Sequence, residues 1–82
     1  MIHTFTVRIG RKSGLSDPEG ATTAKALQDL GFTGVTHVSF GKVITVEVDA
    51  DTEQLALGQV EDMCQKLLAN PVMENFSIEV SP

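Results

Sequence analysis

The stretch VTHVSFGKVITVEVD, residues 35–49, decides how many strands this 82-residue chain folds into. VTHVSF and VITVEVD both alternate β-branched or aromatic residues with polar ones, and Gly41-Lys42 between them suits the positive dihedral of a tight hairpin. The reading contains a conflict of parity. A two-residue loop places Val38 and Phe40 on the face of Val43 and Thr45, leaving Ile44, Val46 and Val48 opposite. Either a bulge adds one residue near the turn, or both faces of the sheet are partly buried. The second option requires a partner, with Ile2, Val35 and Val43 as candidates for that other face.

Upstream, Ile2 to Ile9 puts Phe5, Val7 and Ile9 on one face and Thr4, Thr6 and Arg8 on the other, the pattern of a half-buried strand. The loop GRKSGLS leads into DPEG. There Asp17 can cap a helix whose first residue is Pro18, and Glu19 suits the positive end of the helix dipole. The stripe Ala24, Leu27, Leu30 follows, Gly31 supplies a left-handed stop, and Phe32 can fold back on the last turn.

Downstream, Asp51 with Gln54 three residues on reads as a capping box. Leu57, Val60, Met63, Cys64, Leu67 and Leu68 form one face of about four helical turns. Pro71 ends that helix because Asn70, the residue before it, is pushed out of the helical region. The last strand carries Phe76, Ile78 and Val80 on one side and Ser77 and Glu79 on the other. The expected fold is therefore α+β, a split βαβ in the order βαββαβ. That order predicts a four-stranded antiparallel sheet with two helices on one face, as a single domain over residues 1–82.

A chain this short buries only roughly 60–65% of its unfolded surface, which makes association through a sheet edge or the second face an expectation from size alone. The composition, 41% apolar and 21% charged, is that of a globular chain, and no window approaches the run of apolar residues that a membrane helix needs. The amino terminus alternates where a signal peptide would be continuously apolar. One cysteine permits no internal disulfide, so a reducing cytoplasm is the expected setting. A net charge of −5 argues against nucleic acid and acidic membrane surfaces as partners.

The candidate chemical groups read as structural. Cys64 lies within the apolar helical stripe without a basic neighbour to form a thiolate. His3 and His37 are isolated, with no second ligand at metal-binding spacing. DADTE, residues 49–53, begins like a calcium loop, but Gln54 stands where the turn glycine belongs and Val60 where the bidentate glutamate belongs. There is no Ser/His/Asp grouping, no phosphate-binding loop and no pair of carboxylates in apolar surroundings. Arg8, Arg11 and Lys12 concentrate half of the six basic residues within five positions, which suits a partner-facing patch or an anion site; Lys42 joins them at the expected hairpin tip. By residue chemistry this is a binding or assembly module.

Taken together, DPEG, LQDLGF, FGK and CQKLLANPVMENFSIEV make the chain similar to the small PurS-type subunits of phosphoribosylformylglycinamidine synthase. The resemblance runs over nearly the whole length. It includes Asp17, Pro18 and Gly20 at the first helix, Leu27, Leu30 and Gly31 at its end, Gly41-Lys42, and the run from Cys64 and Lys66 through Pro71, Val72 and Glu74. It implies a subunit without catalytic residues, metal or cofactor of its own, ATP and Mg being used by the large subunit. It also implies self-association as a homodimer or higher oligomer, and a bridge between a large synthetase and a glutaminase. The complex forms the amidine of formylglycinamide ribonucleotide in purine biosynthesis. The interface residues expected on this basis are Arg8, Arg11, Lys12 and Lys42, with Asn70, Pro71, Phe76 and Ile78 from the last helix end and strand. The last strand is expected to offer an edge to a second copy.

Two other functions share the expected strand order. An amino-acid-sensing regulatory domain of the ACT type can have a glycine before its first helix, here Gly14 or Gly20, but Asp17-Pro18 is too polar for a ligand lip. An acylphosphatase-like enzyme needs a catalytic asparagine on a strand. Asn70 and Asn75 both fall late, near a helix end.

Overall fold

The computed structural model describes residues 1–81. The element order is β1 (Ile2–Arg11), α1 (Pro18–Asp29), β2 (Gly41–Asp49), α2 (Glu53–Met63), a π-helical turn (Cys64–Leu68) and β3 (Glu74–Val80). The sheet has three strands in the order β2-β1-β3, both pairings antiparallel. Register explains its two faces. Val7 stands opposite Ile44 and Ile78, and Phe5 opposite Val46 and Val80, so the apolar alternations of all three strands fall on one side. Thr6 stands opposite Thr45 and Glu79 on the other side, where it is joined to Ser81 by a hydroxyl hydrogen bond of 3.0 Å.

The expected four-stranded sheet is corrected to three. Residues 35–40 form no strand, and Gly41 and Lys42 are the first two residues of β2, opposite Gly10 and Ile9. A Cβ at Gly41 would lie 2.6 Å from the carbonyl oxygen of Ile9, so glycine here answers a close approach of two strands and not a turn. The parity conflict disappears as a result. Ile44, Val46 and Val48 keep the core face, and Val38 and Phe40 leave the sheet altogether. Ile2 and Val43 remain exposed on the open face.

The placement of two helices on one face is also corrected. The core consists of Phe5, Val7, Ile9 and Val48 from the sheet with Ala56, Val60, Cys64 and Ala69 from α2 and its continuation; α1 contributes nothing to it. α1 and the segment to residue 40 form an arm instead, in a molecule measuring 52 × 27 × 13 Å. The radius of gyration is 16.5 Å, against about 12 Å for a compact chain of this length.

Within the arm the expected caps form. Asp17 Oδ1 accepts from Gly20 N–H at 3.0 Å, with Pro18 in the first turn. At the other end Phe32 N–H donates to the Leu27 carbonyl and Gly31 N–H to the Gln28 carbonyl, with Gly31 at φ +104. That pair of bonds is a Schellman closure.

α2 differs from expectation at both ends. Its cap is Thr52 and not Asp51: the Thr52 hydroxyl accepts from Leu55 N–H at 3.1 Å. After Met63 the helix widens by one residue per turn, and Ala69 N–H donates to the Cys64 carbonyl at 3.0 Å. This extra residue breaks the expected stripe, since Leu68 is half-buried and Ala69 buried while Leu67 is 83% exposed. Ala69 is already extended, and Asn70-Pro71 makes the turn into β3.

Candidate interface site

Five of the eight expected interface residues gather at one end of the sheet, and Glu74 joins several of them. β3 begins at Glu74, opposite Arg11 in the ladder. Its carboxylate accepts from Asn70 N–H at 2.8 Å through Oε1, while Oε2 lies 4.0 Å from Lys42 Nζ. Asn70 closes the turn locally, its side-chain oxygen accepting from Val72 N–H at 3.0 Å and its carbonyl from Glu74 N–H at 2.8 Å. Lys12 is tied to the same turn twice. Its N–H donates to the Met73 carbonyl at 2.9 Å and its ammonium to the Pro71 carbonyl at 2.8 Å. Arg11, Lys12, Lys42, Asn70 and Pro71 thus form one polar end.

The other three lie elsewhere. Arg8 is on the open face of the sheet, paired with Glu79 at 2.6 Å. Phe76 and Ile78 sit on the core face of β3, half-buried against the core cluster.

A cleft of about 490 Å³ runs between this polar end and the root of the arm, lined by Arg11, Asp17, Phe40, Lys42 and Glu74 among others. Asp17 and Phe40 are the participants that residue patterns missed. Beyond capping α1, Asp17 accepts from Phe40 N–H at 2.9 Å through Oδ2, so one carboxylate clasps the two ends of the arm. The N–H groups of Phe40 and Gly20 hold its pKa below the ordinary carboxylate value, with smaller help from the Arg11 and His37 charges. Gly20 completes the clasp, because a Cβ there would meet the Val38 carbonyl oxygen at 2.1 Å. The sequence signal for this was DPEG itself, whose last glycine has no place in a simple helix start.

Chemically the arrangement suits docking. Cys64 is enclosed and its thiol pKa is raised by burial, with Glu61 adding repulsion. Among the described residues no group of three or more His, Cys, Asp or Glu could hold a metal ion, and no helix is long and apolar enough to cross a membrane. Exposed large apolar side chains include Leu30, Phe32 and Phe40 on the arm, Leu67 and Val72 at the end of the helical segment, and Ile2 and Val43 on the open sheet face.

Comparison with known proteins accounts for this form. A family model described as PurS, phosphoribosylformylglycinamidine (FGAM) synthase, matches residues 4–82. The PurS subunit of phosphoribosylformylglycinamidine synthase from Archaeoglobus fulgidus is 46% identical over 72 residues, covering 88% of this chain and 90% of its own length. The crystal structure of Methanocaldococcus jannaschii PurS, one of the subunits of formylglycinamide ribonucleotide amidotransferase, superposes with a TM-score of 0.84. It is 41% identical, with 99% of this chain and 96% of that one covered. A chain in the structure of PurLQS from Thermotoga maritima superposes with a TM-score of 0.91 at 28% identity, covering 99% of both chains. Three strands and an outlying first helix are therefore arranged as in solved relatives, and the chain belongs to the PurS family.

Proposed function

We propose that this chain is the non-catalytic assembly subunit of a phosphoribosylformylglycinamidine synthase. It bridges an ATP-dependent synthetase and a glutaminase so that ammonia from glutamine reaches formylglycinamide ribonucleotide. The carrying observation is the likeness, along 99% of its length, to a chain of the Thermotoga maritima PurLQS structure. Residue chemistry supports the reading. A general acid or base works best with a pKa near the operating pH, whereas the shifts resolved here move away from neutrality, Asp17 and Asp49 downward and Cys64 upward.

The contribution is positional. Ammonia released at one site and consumed at another must not escape to solvent, so the subunit's task is to hold two enzymes in a fixed relation. It does this as a cytoplasmic homodimer or higher oligomer. The polar end presents the charges of Arg11, Lys12 and Lys42 to the partners beside the Asn70-Pro71 turn, and Arg8 does so from the open face. Phe76 and Ile78 lie at the β3 edge.

The test measures turnover by the large synthetase and the glutaminase with and without this chain, supplying either glutamine or ammonia. The expected result is restoration of the glutamine-dependent rate alone. An unchanged rate with both nitrogen sources, and no ternary complex on a sizing column, would overturn the proposal.

A further inference from the structure

We propose that the furrow at the root of the arm binds a small phosphate monoester, its phosphate held among Arg11, Lys12, His37 and Ser39 and its hydroxyl-bearing end directed to Glu19. The proposal goes beyond the assembly role above and does not depend on it.

The furrow has two parts. The cleft of about 490 Å³ already described adjoins a second of about 270 Å³, and both are lined by Gly10, Arg11, Asp17, Phe40 and Gly41. Their charges differ. The smaller part adds Lys12, His37 and Ser39, so that Asp17 is the only carboxylate lining it among the described residues. The larger part adds Lys42 but also Glu19 and Glu74. In a chain of net charge −5 with six Lys and Arg and two His, two of those cations and one histidine therefore converge on a single acid.

That acid is already engaged. Asp17 accepts from Gly20 N–H through one oxygen and from Phe40 N–H through the other, and its lowered pKa registers the nearby charges of Arg11 and His37. The donors around it are largely free. Ion pairs among the described residues involve the amino terminus, Arg8, Lys42 and Lys66, and none includes Arg11. Lys12 gives one of its three ammonium hydrogens to the Pro71 carbonyl. The His37 ring and the Ser39 hydroxyl make no hydrogen bond among the described residues.

The number and kind of these donors select the ligand. A guanidinium offers two parallel N–H groups and an ammonium acts as a point charge, while a phosphate monoester presents three acceptor oxygens and about two negative charges. A carboxylate has fewer oxygens and half the charge. Arg11 and Lys12 come from the end of β1, and His37 and Ser39 from the segment before β2, so the donors approach from two sides. The rest of the ligand extends past Phe40, which is 43% exposed and can lie against carbon. Beyond it Glu19 and Glu74 oppose a second anionic group, and Glu19, which forms no ion pair among the described residues, can accept from hydroxyls.

The experiment titrates the full chain, labelled with nitrogen-15, with ribose 5-phosphate at low ionic strength and follows the amide resonances. Saturable shifts are expected at Gly14, Ser39 and Gly41, with Val60 unmoved, and added salt should diminish them. Inorganic phosphate should bind more weakly than the ester. Arg11→Gln should weaken both by at least about tenfold. Lys25→Gln removes the same charge from α1 outside the furrow and should leave binding unchanged. Glu19→Ala should abolish the advantage of the ester over inorganic phosphate.

Absence of saturable shifts in the unaltered chain would overturn the proposal. So would equal losses in Arg11→Gln and Lys25→Gln, the mark of attraction to charge at large, or equal affinity of the unaltered chain for phosphate and ester, the mark of an adventitious ion only. A chain that ignores the ester while Arg11→Gln lowers glutamine-dependent turnover of the assembled enzymes would assign these donors to a carboxylate of a partner subunit. That result would end the proposal and leave the assembly role standing.

Discussion

The sheet with α2, which may be called the body, and the arm of α1 and residues 30–40 meet the problem of burial in different ways. In the body Phe5, Val7, Val60 and Cys64 are wholly enclosed. In the arm α1 buries only Gly20, and Leu30 and Phe32 remain 75% and 58% exposed. A helix of 12 residues is marginal in water without a packed face. The arm keeps its shape through a carboxylate clasp, a Schellman closure and the approach of Gly20 to Val38, all local and polar or backbone in kind. The difference teaches that the two regions hold their shape by different means: the body through burial of apolar side chains, the arm through a few hydrogen bonds and close backbone contacts.

Truncations in the two regions should give the widest separation. Phe5→Ala removes a fully enclosed ring and is expected to cost about 3–5 kcal/mol. Leu30→Ala should stay within about 0.5 kcal/mol, with urea unfolding of dilute protein as the measurement. Equal losses at the two positions would erase the division.

Two glycines sharpen it further. Gly41→Ala drives a methyl group toward the Ile9 carbonyl oxygen and should cost about 1–3 kcal/mol by splaying β1 from β2. Gly20→Ala presses on Val38. Its expected signature is faster hydrogen exchange at Phe40 N–H, with exchange in the centre of β1 unchanged.

At the start of α2, Thr52→Ala should cost about 1 kcal/mol through loss of the cap. Asp51→Ala should cost less than about 0.5 kcal/mol. Thermal unfolding of the pair distinguishes the two cap positions.

The smallest effect is one of pH on the arm. Asp17 has a native pKa below its ordinary value of 3.8. Its contribution is therefore fully present above that value and is lost as pH falls through the lower native one. The amide resonances of Phe40 and Gly20 should hold steady down to the ordinary carboxylate range and move only beneath it, with those of Val60 unaffected. Movement of all three together would show that the clasp is not local to the arm.

Much of this arrangement was legible in residue order. Alternation revealed β1 and β3 together with their core faces, and Asp17-Pro18, Gly31 and Pro71 marked helix ends where the backbone indeed changes course. Residues 35–40 misled because alternation reports a preference for extended backbone, not the presence of a neighbour. Gly41 misled because glycine serves turns and close strand approaches equally. The parity conflict was the useful signal, and it is resolved neither by a bulge nor by a second buried face but by residues 35–40 leaving the sheet. Leu67 was misplaced by the π-helical turn, which shifts every later side chain by one residue and leaves no mark in a 3.6-residue pattern. At the candidate interface, the basic cluster and Asn70-Pro71 were recognisable, but the gathering role of Glu74 and the second bond of Asp17 depend on strand register and on chain segments far apart in sequence.

The central strand of the sheet is also the first to be synthesised. β1 ends at Arg11, whereas the last residues of β2 and β3 are Asp49 and Val80. At ribosomal rates of about 5–20 residues per second, β1 waits about 2–8 s for its first neighbour and about 3–14 s for its second. Until residue 49 is made both edges of β1 are open to other nascent chains, and until α2 is made Phe5, Val7 and Ile9 have no helix above them. The vulnerable period for this protein is therefore its own translation, and slowing synthesis before residue 49 should increase aggregation more than slowing it after α2 has formed.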